Sequence, residues 1–184
     1  MKATGVVRRV DDLGRVVIPK EIRKTLRIKE GTPLEIFTEK EGDIILKKYS
    51  PINELSSFSQ EYVECLYNVT NLISIVTDKD CVIAVSGTPK KNLLEESISE
   101  NLEKIMDKRE LYLSNEKNNV LIDITNKHLN DSLAQGFQII VPIISNSDVV
   151  GSLILIDNNK NLNTNEIVSI AKVAATFLGT QMEI

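Results

Sequence analysis

The first fifty residues alternate short β-prone runs with turn-forming residues, and this pattern constrains the fold more than any other feature of the chain. Two runs precede a helix candidate and two follow it, in the order β-β-α-β-β. The runs are residues 5–10, 14–18, 34–38 and 44–48, and the helix candidate is Lys20–Leu26. A unit this small buries too little surface to be stable alone, so it needs a metal, a disulfide or a second chain.

Turn chemistry separates these elements. Asp11, Asp12 and Gly14 predict a tight turn between the first two runs. Pro19 predicts the first turn of the helix, because a proline has no N–H to give to a strand ladder. Gly31 favours the end of that helix. The polar loop 39–43 predicts a hairpin between the last two runs.

Metal-ligating and redox side chains are scarce in this sequence. The chain has two cysteines and one histidine, Cys65, Cys81 and His128. Their number and scatter argue against a Cys/His zinc site and a disulfide framework, so we expect buried thiols and a surface histidine. P-loop, GxSxG and HExxH signatures are missing from the sequence, which predicts neither an enzyme nor a cofactor. A second chain is then the remaining way to stabilise the first fifty residues, and an obligate homodimer is predicted.

The rest of the chain predicts an α+β domain, an antiparallel sheet with packed helices. Apolar spacing indicates a helix over about 52–69, and Asn163 with Glu166 predicts the start of a last helix. The full order is helix 52–69, hairpin 72–77 with 81–86, helix 92–109, hairpin 138–144 with 149–156, and the last helix. Segment 114–137 shows only a short apolar run. The predicted domains are therefore 1–50 and 51–184, with the boundary beside Pro51.

Charge divides the chain at the same boundary. Residues 1–50 carry twelve basic and eight acidic side chains, whereas the remainder carries ten basic and eighteen acidic ones. A basic head on an acidic body indicates two parts with different partners. No apolar run reaches the roughly 18 residues of a membrane span. The N-terminus lacks an apolar signal core, so we expect a cytoplasmic protein without a membrane partner.

The basic excess is densest in residues 1–29, which hold nine basic and three acidic side chains. Fixed cations bind phosphates, and arginine also reaches guanine edges, so this segment is a candidate DNA surface. A solvated surface face explains the same charge run equally well. The candidate DNA-binding residues are Lys2, Arg8, Arg9, Arg15, Arg23 and Lys24.

The stretch TGVVRRVDDLGRVVIP (residues 4–19), followed by EIRKTL, resembles the swapped-hairpin DNA-binding domain of the AbrB-type transition-state regulators. The resemblance implies that two chains exchange hairpins to form one interlocked β-barrel, a homodimer on double-stranded DNA. It implies DNA contacts by Arg8, Arg15 and Arg23. It places a further contact at Lys24, where relatives often have arginine, with Lys2 and Arg9 as helpers. The implied readout is of DNA shape more than of a strict base code.

The C-terminal part resembles a GAF domain in its last hairpin. Val141-Pro142-Ile143 and Val150-Gly151-Ser152 carry this resemblance, which implies a sensor and oligomerisation module. Ligand sensing and pure scaffolding both fit, and the effector pocket is unassigned. The two resemblances together imply a regulator of late, forespore-specific sporulation genes that activates some and represses others. They also imply a tetramer, built as a dimer of dimers, and possible control by a small-molecule effector.

Three questions stay open at this level. The same hairpin domain occurs in some antitoxins, so a toxin-neutralising regulator is an alternative, although antitoxins usually follow it with a disordered tail. An enzymatic C-terminal domain would need a catalytic constellation that the sequence does not show. Asp11 and Asp12 are read either as turn residues that bond the local backbone or as acidic groups that limit indiscriminate DNA binding.

Overall fold

The structure is a computed structural model, and it describes residues 5–39, 42–50, 52, 56–114, 121–126, 137–157 and 164–182. The chain divides into two compact units, Met1–Tyr49 (unit 1) and Ser50–Ile184 (unit 2). The division falls beside Pro51, next to the boundary that the charge pattern and the proline predict.

The described residues of unit 1 form one short helix and one β-hairpin. Helix α1 spans Lys20–Thr25, strand β1 spans Leu34–Thr38 and strand β2 spans Ile44–Lys48. The two strands pair antiparallel, with Ile36 opposite Leu46. The hairpin predicted from the polar loop is therefore confirmed.

Helix α1 begins after Pro19, as predicted, but it ends before the predicted stop. Arg27 adopts the left-handed conformation at φ +52°. Beyond it, the backbone N–H of Ile28 donates to the carbonyl of Arg23 at 2.8 Å, which is the bond that closes a helix end. The prediction that Gly31 ends the helix is wrong, since an arginine takes this role four residues earlier.

The predicted strands at residues 5–10 and 14–18 are absent from the single chain. The two runs are linked at their turn, where the N–H of Asp11 donates to the carbonyl of Arg15 at 3.1 Å. A strand needs a partner backbone for its N–H and C=O groups, and β-prone side chains do not supply one. The order β-β-α-β-β is thus wrong for one chain, of which only the α-β-β part forms.

Unit 2 is a five-stranded antiparallel sheet with helices packed on it, as the sequence predicts. Its sheet order is β4-β3-β7-β6-β5. The elements are α2 (Ser56–Thr70), β3 (Ile73–Thr77), β4 (Val82–Ser86), a 3-10 turn (Lys90–Asn92), α3 (Glu100–Lys108), β5 (Tyr112–Leu113), β6 (Phe137–Ser145), β7 (Asp148–Asp157) and α4 (Thr164–Thr180). Both predicted C-terminal hairpins are confirmed, β3 with β4 and β6 with β7.

Both faces of this sheet are buried. In β7, Leu153 and Leu155 belong to one apolar cluster and Ile154 to the other, because successive side chains of a strand point to opposite faces. The first cluster contains Ile167 of α4, and the second contains Leu102 of α3. Unit 2 therefore completes a core of its own, on two sides of the sheet, from a single chain.

Helix α3 is shorter than the predicted helix 92–109. Ser97 forms an isolated β-bridge with Cys81, so this stretch is held in an extended pairing before the helix begins. The Ser99 hydroxyl then accepts a hydrogen bond from the N–H of Leu102 at 3.1 Å and caps the first turn. Backbone pairing and the cap together override the helical pattern of the preceding residues.

The outer helices follow the prediction more closely, with one error at a side chain. Ile52 is helical, as a helix starting near residue 52 requires, whereas the predicted start at Asn163 lies outside the described residues. Cys65, predicted to be buried, is exposed. It lies two residues after the buried Val63 of α2, and two residues turn a helix by about 200°, which directs Cys65 away from the core.

Two residues of the β6–β7 hairpin explain its local geometry. Gly151 lies where β7 passes so close to β3 that an added Cβ would overlap the carbonyl oxygen of Thr77. Pro142 is tolerated inside β6 for another reason. Four residues before Pro142, the N–H and C=O groups of Gln138 bond Ser114 beside β5. Backbone groups of alternate strand residues point to the same side, so the backbone of Pro142 also points towards β5 and not towards β7. The missing N–H of Pro142 therefore removes no bond to β7.

Candidate nucleic-acid interface

The predicted DNA-binding side chains that the structure describes all lie on the surface of unit 1. Arg8, Arg9, Arg15, Arg23 and Lys24 are exposed. Lys2 lies outside the described residues. Their positions fall on three parts of the unit: the segment before the turn, the turn itself and the last turn of α1.

The turn between the two N-terminal runs is closed by its own backbone and by one carboxylate. The N–H of Gly14 donates to the carbonyl of Asp11 at 3.0 Å. The Asp11 Oδ1 atom accepts from the N–H of Arg15 at 2.8 Å and from the N–H of Leu13 at 3.1 Å. The prediction that Asp11 bonds the local backbone in a turn is thus confirmed.

Gly14 gives this turn its shape. Its φ is +75°, a conformation that L side chains rarely adopt, while nothing lies within 4 Å of the place where a Cβ would be. Glycine is therefore needed here for its backbone freedom and not for space. The consequence is a turn tight enough to bring Arg15 back beside Asp11.

Sequence reasoning missed the ion pair that forms across this turn. The Nε atom of Arg15 donates to Oδ2 of Asp11 at 2.8 Å, and the two side chains remain 69% and 36% exposed. The backbone N–H of Arg15, followed by its guanidinium, holds the pKa of Asp11 below its ordinary value. The signal was present in the sequence as an acid and a base four residues apart at a turn.

Arg23 and Lys24 occupy the last turn of helix α1. Cations at this end of a helix are favoured by the unsatisfied carbonyls there. The backbone of Arg23 also holds the helix end, because its carbonyl accepts the Ile28 N–H. The side chains of both residues are left exposed, so the helix end presents two positive charges to solvent.

Apolar side chains lie exposed beside these cations. Within residues 5–39 and 42–49, not one residue is buried. The exposed large apolar side chains of unit 1 are Val6, Val7, Val10, Leu13, Val16, Val17, Leu26, Ile36, Phe37, Ile44, Leu46 and Tyr49. An apolar surface of this extent on so small a unit indicates a partner that covers it.

The other candidate sites from the sequence carry little reactive chemistry. Burial, followed by the nearby Asp78 carboxylate, raises the pKa of Cys81 to about 12, which disfavours the reactive thiolate. His128 lies outside the described residues. Among the residues that are described, no group of three His, Cys, Asp or Glu side chains is placed to hold a metal ion.

In the same part of the chain, no helix has both the length and the apolar character needed to cross a membrane.

Two family models match this chain. Residues 54–183 match the family described as "Stage V sporulation protein T C-terminal, transcription factor". Residues 7–54 match the family described as "Antidote-toxin recognition MazE, bacterial antitoxin". The first match covers most of the chain, and it begins near the boundary between the two units.

Individual relatives agree with these matches. The chain is 47% identical over 184 residues to stage V sporulation protein T of Bacillus subtilis (strain 168), covering 100% of this chain and 99% of that protein. Over 51 residues it is 63% identical to the transition state regulatory protein AbrB of the same organism, covering 28% of this chain and 52% of AbrB. The match thus spans about half the length of AbrB. It supports the predicted AbrB-type resemblance.

Solved structures relate unit 2 to GAF domains in fold. The GAF domain of an Acinetobacter phosphoenolpyruvate-protein phosphotransferase superposes with a TM-score of 0.54 at 11% sequence identity, covering 70% of this chain and 81% of that one. The predicted GAF-like antiparallel sheet with packed helices is confirmed. By its identity over the full length and by the model that matches residues 54–183, the chain belongs to the stage V sporulation protein T family of transcription factors.

Proposed function

We propose that this chain is a DNA-binding transcription regulator of sporulation genes, acting on the late, forespore-specific set and activating some genes while repressing others. The observation that carries the proposal is the set of exposed cations on unit 1, in a chain whose family model describes a transcription factor. A regulator of this kind acts in the cytoplasm, where the chromosome lies.

The DNA contacts in this proposal come from Arg8, Arg15, Arg23 and Lys24, with Arg9 and Lys2 beside them. Guanidinium groups bind phosphate oxygens or guanine edges with two parallel hydrogen bonds, whereas Lys24 supplies a point charge. Within the described residues of unit 1 there is no long helix for a major groove, since α1 has six residues. Recognition therefore rests on phosphate anchoring and on the sequence-dependent shape of the duplex.

The DNA-binding form in this proposal is a homodimer through unit 1, with exchanged hairpins closing one barrel. The exposed apolar side chains of unit 1 support it, because a second copy would bury them. The runs at residues 5–10 and 14–18 would then find the partner backbone that one chain lacks.

Unit 2 serves oligomerisation and regulation in this proposal. Pairing of unit 2 would join two DNA-binding dimers into a tetramer, and two linked heads raise affinity through effective concentration when both reach DNA. A GAF-like fold is compatible with a small-molecule effector and equally with a scaffold. The transcription-factor family and the raised pKa of Cys81 both support a non-enzymatic role.

An antitoxin that neutralises a partner protein is the second candidate. The match of residues 7–54 to an antitoxin family is the observation that favours it. The packed core of unit 2 opposes it, because antitoxins of this kind usually end in a disordered segment. Co-purification of a small toxin with the full chain would favour this candidate over the regulator.

The test is fluorescence anisotropy of the full chain on an A·T-rich duplex across a salt series. We expect Arg15→Ala to weaken binding by about 1–3 kcal/mol and to reduce the slope of log K against log salt by about one. Lys172→Ala is the matched control, since it removes one exposed positive charge from α4 of unit 2. Absence of binding to any duplex at low salt, or equal losses in the two variants, would contradict the proposal.

A further inference from the structure

The Asp11–Arg15 ion pair joins a carboxylate to a proposed DNA contact. The distance from Arg15 Nε to Asp11 Oδ2 is 2.8 Å, and the arginine side chain is 69% exposed. Exposed ion pairs contribute little to folding stability, because water and salt screen them. What this pair determines is the position of the guanidinium group.

The carboxylate is itself held in place. Its other oxygen, Oδ1, accepts the backbone N–H groups of Leu13 and Arg15, so the group is tied to the turn at both oxygens. A guanidinium has five N–H donors in one plane, and the bond to Asp11 uses the donor on Nε. One of the four Nη donors lies parallel to the Nε–H, on the carboxylate side, whereas one N–H from each Nη atom forms a parallel pair at the far end of the group. The bond to Asp11 does not use that end pair.

We propose that Asp11 is a positioning residue for Arg15 in DNA recognition, and that it fixes the guanidinium plane so that both Nη atoms meet two DNA acceptors together. The proposal rests on the proposed DNA-binding function. Fixing the plane before binding reduces the side-chain freedom that is lost on DNA. Asp11 would act through Arg15 and would not touch the duplex.

Net charge alone predicts the opposite result. A carboxylate near DNA repels phosphates, so removing it should strengthen binding. Removing a positioning residue should weaken binding. Asp12 separates the two effects, since it is the neighbouring exposed carboxylate and its loss changes the net charge by the same amount.

The sharpest variant is Asp11→Asn. Its amide oxygen can still accept the backbone N–H groups of Leu13 and Arg15, which keeps the turn closed. Its NH2 group, placed where Oδ2 was, cannot accept from the Arg15 Nε–H. The variant therefore removes the ion pair while leaving the turn its acceptor, and the matched control is Asp12→Asn.

The experiment measures the affinity of the full chain for one A·T-rich duplex in a double-mutant cycle. Asp12→Asn should strengthen binding slightly, and Asp11→Asn should weaken it about fivefold. In the Arg15→Ala background the two substitutions should act alike, because no guanidinium remains to be positioned. The NMR signal of the Arg15 Nε–H, recorded without DNA, should shift in Asp11→Asn while the backbone signals of the turn stay in place.

Two outcomes would overturn the proposal. If Asp11→Asn strengthens DNA binding as Asp12→Asn does, the carboxylate acts only through its charge. If Asp11→Asn weakens DNA binding by the same factor with and without Arg15, the role of Asp11 is to stabilise the turn and not to position Arg15. If the wild-type chain binds no duplex, the proposed function is contradicted, and a role of Asp11 in DNA binding is contradicted with it.

Discussion

Unit 1 and unit 2 treat their apolar side chains in opposite ways. Among the described residues, every buried apolar side chain lies in unit 2, and twelve of the seventeen exposed large apolar side chains lie in unit 1. Both units are rich in β-prone residues, so propensity does not separate them. They differ in whether one chain supplies a second layer to cover the first. Unit 2 has helices on its sheet, whereas unit 1 has a hairpin and one short helix.

The difference shows what a strand pattern can and cannot specify. In unit 2 the alternation along β7 finds a cluster on each face, as Leu153 and Ile154 illustrate. In unit 1 the runs with Val7 and Val17 leave those side chains 84% and 70% exposed. The same kind of alternating pattern thus specifies a complete core in unit 2, whereas in unit 1 it specifies an apolar surface that the single chain does not cover.

The largest expected effect comes from Gly151→Ala in unit 2. The new Cβ would overlap the Thr77 carbonyl oxygen, and neither backbone can move without breaking the β3–β7 ladder. We expect the free energy of unfolding of unit 2 to fall by about 4 kcal/mol. Guanidinium unfolding of the full chain, followed by circular dichroism, measures it. An unchanged midpoint would show that the sheet is less closely packed than this comparison requires.

An intermediate effect is expected on dilution, and it should fall on unit 1. If a second copy covers its apolar surface, each hundredfold dilution should lower its apparent stability by about 1.4 kcal/mol per chain, because the unfolded fraction of a homodimer varies with the square root of concentration. Hydrogen exchange of the β1–β2 amides at two protein concentrations measures this, with the β6–β7 amides as the internal control. If the exchange rates of the β1–β2 amides do not depend on protein concentration, unit 1 is stable as a single copy.

The smallest effect is expected for Gly14→Ala in unit 1. Open space surrounds the position, so the only penalty is the positive φ of the turn. We expect a loss of about 1 kcal/mol in the stability of unit 1. The same hydrogen-exchange measurement detects it, and Gly151→Ala supplies the contrast of a true overlap. A loss as large as that of Gly151→Ala would point to a partner surface packed against the turn.

Much of unit 2 was predictable from its sequence, because its signals are local. Polar turns between apolar runs locate both hairpins, apolar spacing locates α2, and the Asn163 and Glu166 pattern locates α4. The misassigned stretch before α3 depends on the Ser97–Cys81 bridge, which joins residues 16 positions apart and leaves no periodic trace. Cys65 was misplaced because apolar spacing predicts a stripe without fixing which apolar residue is most buried. That residue is Val63, and Cys65 lies about 200° away from it around the helix.

The candidate interface was predictable in its residues and not in its geometry. Charge density and the AbrB-type resemblance select the arginines directly. The Asp11–Arg15 pair depends on a turn that brings the two side chains together, with Gly14 at φ +75°. The two predicted N-terminal strands were wrong for the single chain, because β-propensity says nothing of whether a partner segment is within reach to form the ladder.

Pro142 has a consequence for how unit 2 behaves at high concentration. Strand β5 pairs with β6 at only two positions, Tyr112 with Ile140 and Leu113 with Ile139. The next position on that side of β6 is Pro142, which offers a carbonyl but no N–H. A stray strand that displaced β5 would find the same interrupted row of donors, and its ladder would stop where that of β5 stops. Pro142 thus limits how far a strand from another copy could extend the sheet at its β5 edge.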